Sequence, residues 1–180
     1  MASAFSHAIA SIAIGEVSFI KKTDAKFWLL GIFCAVIPDA DAIGYFLGVP
    51  YGSVWGHRGI THSFFFALVL AFTVMYFFYN KEKIGSKPWL ILFAFFFVAT
   101  ASHPLLDAMT NGGKGVAFWA PFYDERYFFT FRPIKVSPIG VTRFFSAYGW
   151  EVLKSEFVWI WIPSFIVIGV VEGVKRLRTL

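Results

Sequence analysis

Residues 57–78 read HRGITHSFFFALVLAFTVMYFF, a short polar segment followed at once by an apolar run. The run over residues 64–78 contains no charged residue, which is typical of a helix that lies in lipid. Two of the chain's four histidines and one arginine lie in the seven residues before the run. The stretch therefore predicts a membrane-embedded helix with a polar site at its N-terminal end.

The composition of the whole chain agrees with a membrane protein. Of its 180 residues, 58% are hydrophobic and 15% are charged, whereas a soluble domain is typically about 25% charged. The basic residues behind the net charge of +5 cluster in short loops beside apolar runs, which favours membrane topology over nucleic-acid binding. The single cysteine, Cys34, gives no disulfide framework. By length the chain is one domain, residues 1–180.

Apolar segments of sufficient length recur along the chain and predict an all-α integral membrane protein. Because no alternation of apolar and polar residues recurs, strands are disfavoured. We expect a bundle of about five transmembrane helices with a long extracytoplasmic loop at residues 109–154. The expected spans are residues 4–20, 27–47, 62–80, 88–108 and 155–173.

The loops predict the orientation of the bundle. Residues 21–26, 81–87 and 175–180 each carry three basic side chains, and five spans place all three segments on one side. The positive-inside rule makes that side cytoplasmic. We therefore expect a multi-pass protein of the inner (plasma) membrane, with the N-terminus outside and the C-terminus in the cytoplasm.

The histidines and three of the aspartates are expected to lie at one depth in the membrane. At about 1.5 Å rise per residue, all four histidines and three of the aspartates lie in the outward half of a hydrocarbon core about 30 Å thick. Such groups cost several kcal/mol unless they are paired, hydrated or bound to metal. Histidine nitrogen and carboxylate oxygen bind zinc, manganese and non-haem iron. We predict a divalent metal site with the ligands His7, Asp41, His57, His62, His103 and Asp107.

Local features support parts of this site. His103 and Asp107 are four residues apart and share one face of a helix. Pro38 predicts a helix irregularity, so Asp39 and Asp41 need not point in opposite directions. Each of these features also has a structural interpretation, such as an i, i+4 hydrogen bond or a hydrated cap. Their position at one height favours the metal site.

The predicted activity is metal-assisted hydrolysis of a phosphoester, with a phospholipid favoured because its headgroup lies at the height of the site. Asp39 is a further ligand or the base that orients the attacking water. Arg58 offers a bidentate fork to a phosphate oxygen, and Arg126 and Arg132 bind anionic headgroups. The lipid bilayer is the expected partner, no nucleic acid is expected, and no protein partner can be inferred from the sequence.

Two alternatives belong to other functional classes. A metal or proton transporter needs ionisable groups at several depths, whereas this chain places them at one. A non-catalytic structural protein would use the polar cluster to hold its helices together.

In order, His7, PDAD (38–41), HRGITHS (57–63) and HPLLDAMT (103–110) resemble the motifs of the YdjM-type inner-membrane proteins, described as membrane-bound metal-dependent hydrolases. Residues 119–140 also resemble that family's long outer loop. The resemblance implies a distant relationship to the all-helical scaffold of zinc-dependent phospholipase C and single-strand nucleases. Those enzymes hold three metals with more histidines, so the resemblance implies one or two ions here, most readily zinc.

Overall fold

The computed structural model describes residues 1–18 and 23–178, and over these residues the regular structure is helical with no β-strand. Lys21 and Lys22 of the first basic loop lie outside the described residues. The α-helices are α1 (Ala4–Val17), α2 (Ala25–Val36), α3 (Ala42–Phe46), α4 (Phe64–Phe78), α5 (Lys87–Ala108), α6 (Val141–Phe144), α7 (Ala147–Glu156) and α8 (Ile162–Leu177). Short 3-10 turns at Ile37–Asp41 and Ile60–His62 and a π turn at Phe157–Trp161 complete the regular elements.

Within the described residues, three helical stretches are long and apolar enough to cross a membrane: Ala25–Phe46, Lys87–Ala108 and Ala147–Leu177. α1 and α4 are apolar but shorter, with 14 and 15 residues. These elements confirm the all-helical fold and are consistent with a membrane protein, while the count of five spans and the outer loop stay predictions. The last long helix begins at Ala147 rather than at residue 155, so the end of the expected outer loop is helical.

α5 is central to the bundle, because it packs against α1, α2 and α4. The core between these helices contains Phe27, Cys34, Met75 and Phe96, all buried. α2 approaches α5 closely at Gly31, where an added Cβ would lie 2.5 Å from the Phe95 ring. Small residues at such crossings let membrane helices pack tightly.

Two interruptions of helical structure position the polar residues. Pro38 lies at the start of the 3-10 turn Ile37–Asp41 that follows α2, where the sequence predicts an irregularity, and this turn presents Asp39 and Asp41 to the same part of the molecule. Ser63 caps α4 by accepting a hydrogen bond from Phe66 N at 3.0 Å. The turn at Ile60–His62 therefore lies directly before the N-terminal end of α4.

The segment after α5 folds over the N-terminal end of α4. Phe64 N donates to the Phe118 carbonyl at 3.0 Å and Ala117 N donates to the Arg58 carbonyl at 3.0 Å. Arg126 adds a side-chain bond to the His57 carbonyl at 3.0 Å. These contacts enclose the HRGITHS segment between α5 and the loop.

Candidate metal centre

Four ligand-type side chains from three separate segments converge at the end of α5. Asp39, His62, His103 and Asp107 each offer one atom, and these atoms all lie within 4.8 Å of one another. His62 Nε2 and His103 Nε2 are 3.0 Å apart. Asp39 Oδ1 lies 3.3 Å from His103 Nε2 and 3.6 Å from His62 Nε2, and Asp107 Oδ2 lies 3.5 Å from His62 Nε2.

The hydrogen bonds of the two imidazoles indicate which ring nitrogens carry the protons. His103 Nδ1 lies 2.7 Å from the Ala35 carbonyl, which only accepts, so this nitrogen donates. His62 Nδ1 lies 3.1 Å from Asp41 Oδ2 and likewise donates. In the neutral form of each ring, Nε2 would hold the lone pair, and the two Nε2 atoms face each other.

The carboxylates add further acceptors to the same space. Neither oxygen of Asp39 has a hydrogen-bond donor among the described residues, although both oxygens are buried. A buried charge without a partner is costly, and a cation among these acceptors removes that cost.

The spacing of the ligand atoms of Asp39, His62 and His103 fits a divalent ion. Bonds of 2.0–2.1 Å to a tetrahedral zinc ion imply ligand-to-ligand separations of about 3.3–3.4 Å. The separations quoted above run from 3.0 to 3.6 Å. Asp39, His62 and His103, with Asp107 beside them, can therefore hold such an ion with small adjustments.

Asp41 and His57 lie behind this cluster. With His62 they form a second group of metal-binding type, but Asp41 is already surrounded by donors. Its Oδ1 lies 2.6 Å from His57 Nδ1, and its Oδ2 accepts bonds from Thr61 Oγ1 at 2.5 Å and Arg58 N at 3.1 Å. This geometry favours Asp41 as the carboxylate that orients His62. Of the two roles that the sequence leaves open for Asp39, the geometry favours that of ligand.

Arg58 supplies the counter-charge of Asp107. Its side chain is 0% exposed, and its Nε lies 3.0 Å from Asp107 Oδ2. Nη2 donates to Thr110 Oγ1 at 2.9 Å and Nη1 to the Gly112 carbonyl at 3.0 Å. All three guanidinium nitrogens contact protein atoms. The geometry therefore favours a role for Arg58 in positioning Asp107, rather than the bidentate binding of a phosphate oxygen that the sequence predicts. Arg58 also has a φ of 62°, a left-handed conformation that is uncommon for a residue with a side chain.

His7 completes the set of histidines around the centre. Its ring is 0% exposed and stacks on His103, with 3.7 Å between ring centroids. Its Nε2 lies 3.6 Å from Asp107 Oδ1, and within the part of the chain that the structure describes neither ring nitrogen has a hydrogen-bond partner. His7 therefore lies beside the four-residue cluster with both ring nitrogens unpaired among these residues.

The two loop arginines expected to bind headgroups have other contacts. Arg126 donates to the carbonyls of Tyr51, Ser53 and His57 at 3.0–3.1 Å, so it fastens the loop over the centre. The guanidinium of Arg132 lies over the Phe128 ring, 4.8 Å from its centroid.

Glu156 is a buried polar residue that sequence reasoning missed. It is 0% exposed and accepts bonds from Ser3 N, Ser3 Oγ and Ser6 Oγ at 2.5–2.7 Å. These bonds hold the beginning of α1 against the end of α7. In the same N-terminal segment, Ala2 N donates a hydrogen bond to Asp107 of α5 at 2.6 Å. The available signal was an acidic residue at the beginning of the last apolar run, since such residues rarely face lipid.

Comparisons with known proteins agree with the membrane assignment. The model of the YdjM inner membrane protein family matches residues 1–178. Inner membrane protein YbcI of Escherichia coli (strain K12) is 37% identical over 177 residues, which cover 98% of this chain and 100% of that protein. No solved structure matches the chain.

Proposed function

The chain belongs to the YdjM inner membrane protein family, and from that premise we propose that it is a membrane-embedded hydrolase that cleaves a phosphoester with the help of a divalent metal ion. The observation that carries the proposal is the pair of imidazole nitrogens 3.0 Å apart, with the carboxylates of Asp39 and Asp107 beside them. Imidazole nitrogens and carboxylate oxygens are atoms that divalent metal ions bind.

Asp39, His62 and His103 are the proposed protein ligands. Catalytic zinc sites typically use three protein ligands and leave a fourth position for water, and zinc suits nitrogen and oxygen donors in this geometry. A bound ion of this kind supplies a water whose pKa is lowered to about 7 and polarises a phosphoryl oxygen. Asp107, which lies 3.0 Å from its counter-charge Arg58, would be a further ligand beside these three residues.

His7 is the proposed general base. Its unpaired ring nitrogens are buried beside Asp107, so it accepts the proton of the attacking water as the new oxygen–phosphorus bond forms. The bond between phosphorus and the leaving oxygen breaks, and the proton passes to that oxygen. Burial excludes bulk water and strengthens each of these electrostatic interactions.

A phospholipid is the substrate that the surroundings favour. Trp119, Phe122 and Tyr123 of the loop over the centre are 53%, 71% and 69% exposed. Exposed aromatic rings of this kind are typical of the membrane–water interface, where a phosphoester headgroup lies. We place this interface at the outer face of the inner membrane, with the N-terminus outside and the C-terminus in the cytoplasm.

A structural metal site is the second candidate. His7, His62, His103 and Asp107 are all 0% exposed, and closed four-ligand sites are typical of structural metals. An ion in this role would connect α5 to the segment that follows α2 and to the loop before α4, and it would catalyse no reaction.

Hydrolysis by the reconstituted protein separates the two candidates. The protein is loaded with zinc in liposomes, and release of the phospholipid headgroup is compared with that of H103A, H7Q and the surface control R178Q. We expect H103A to lose both metal and activity. H7Q should keep the metal and lose about 10²–10⁴-fold in rate, the usual contribution of a general base. Bound metal without hydrolysis in the wild type and in R178Q would contradict the enzyme and favour the structural role.

A further inference from the structure

A cavity lies between the end of α3 and the segment that leads into α6. Its volume is about 520 Å³. Its lining includes the exposed rings of Tyr45 and Phe46 and the polar residues Tyr51, Thr142 and Arg143. Among the described residues, its lining includes no acidic side chain. The cavity lining therefore combines apolar rings with polar side chains and one cation, Arg143.

Tyr51 connects this cavity to the centre. The Tyr51 hydroxyl and Arg58 Nη1 both lie within 2.9 Å of the point that a Cβ on Gly113 would occupy. Arg58 Nε in turn lies 3.0 Å from Asp107 Oδ2. One guanidinium group thus separates the floor of the cavity from a carboxylate of the metal centre.

The Tyr51 hydroxyl is available as a donor. Burial raises the pKa of Tyr51, so the hydroxyl keeps its proton and can donate it to an anion. Two cations lie over its ring, Lys114 Nζ at 5.8 Å and the Arg126 guanidinium at 5.7 Å from the centroid. The resulting positive potential attracts an anion to this side of the molecule.

We propose that this cavity binds the phosphate group of an anionic lipid, with Arg143 and the Tyr51 hydroxyl as its donors. Arginine binds phosphate through parallel charge-assisted hydrogen bonds, and the Tyr45 and Phe46 rings suit the apolar part of the same lipid. This inference rests on the proposed function, because the cavity holds the headgroup of a phospholipid substrate next to the metal centre.

Native mass spectrometry of the full-length protein tests the site. The protein is released from nanodiscs that contain equimolar phosphatidylglycerol and phosphatidylcholine, and the lipids that remain bound are counted. We expect the wild type to retain phosphatidylglycerol in about tenfold excess, because the choline cation of phosphatidylcholine is repelled by Arg143. R143Q should bind the two lipids equally, and Y51F should retain less of both, because the hydroxyl donates to the phosphate that they share. The matched control R178Q replaces an exposed arginine of the C-terminal segment and should behave as the wild type.

Excess inorganic phosphate distinguishes the sources of the anion. Phosphatidylglycerol that stays bound in phosphate assigns the site to a lipid, whereas its displacement assigns the site to the phosphate group alone. Equal binding of the two lipids by the wild type, or an excess that persists in both R143Q and Y51F, would overturn the proposal. Arg143 is exposed, so R143Q should unfold at the wild-type temperature.

Metal content and hydrolysis, measured on the same samples, separate this inference from the proposed function. If the wild type hydrolyses no phospholipid but retains phosphatidylglycerol through Arg143, the hydrolase is wrong and the lipid site stands. If hydrolysis proceeds while lipid retention is independent of Arg143 and Tyr51, the lipid site is wrong and the hydrolase stands.

Discussion

Replacement of Arg58 with methionine should destabilise the whole bundle through Asp107. The Arg58 and Asp107 side chains are both 0% exposed and meet at 3.0 Å, so the variant leaves a carboxylate buried without its counter-charge. Removal of one partner of a buried ion pair typically costs about 3–5 kcal/mol. For a chain of this length, each kcal/mol lowers the unfolding temperature by about 2–4 °C. We therefore expect R58M to unfold about 6–20 °C below the wild type.

Thermal unfolding in detergent, followed by tryptophan fluorescence with and without a chelator, measures this effect. The double variant R58M/D107N should recover much of the loss, because it removes both buried charges together. The surface variant R132M is the control and should unfold as the wild type. Wild-type stability of R58M, or a double variant no more stable than R58M, would refute the role of Arg58 as the counter-charge of Asp107.

Three further predictions concern the backbone, the beginning of α1 and the topology. G113A should be destabilised by about 1–3 kcal/mol, because φ is 92° at this position and the new Cβ would lie 2.7 Å from Arg58 Nη1; an unchanged melting temperature would contradict the close contact. E156A should lose about 1–3 kcal/mol, because three donors from the beginning of α1 lose their acceptor; this loss should be absent if the segment docks through apolar contacts alone. With the buried native cysteine replaced, a cysteine at Ser53 should react with an impermeant reagent in intact cells and one at Ser86 only after permeabilisation, and the reverse pattern would invert the proposed orientation.

The helices of this protein were predictable where composition alone determines them. The runs that become α4 and α5 are apolar enough for lipid on most sides, and Pro38 and Ser63 mark the ends of helical structure by their backbone chemistry. The helix at Ala147–Leu177 was placed too late because Glu151 and Lys154 interrupt the apolar pattern. In the structure these two side chains pair with each other at 2.8 Å, a contact compatible with an exposed helix.

The candidate site was predictable in its membership but not in its roles. The common height of the histidines and aspartates follows from helical rise. Asp39 and Asp41 are only two residues apart, however, and only the tertiary packing of the Pro38 turn decides which of them faces the two imidazoles. The left-handed backbone of Arg58 and its contact with Asp107, which lies on another segment, leave no local signal in the sequence.

Metal content of the purified protein tests the central claim most directly. The protein is reconstituted with zinc, manganese or iron, dialysed, and analysed by plasma mass spectrometry beside D39A, H103A and the surface control R132Q. We expect about one equivalent of a divalent metal in the wild type and in R132Q, as for a single site of this ligand set, and almost none in D39A and H103A. A wild type that binds none of these metals, or variants that bind as much as the wild type, would contradict a metal centre at Asp39, His62, His103 and Asp107.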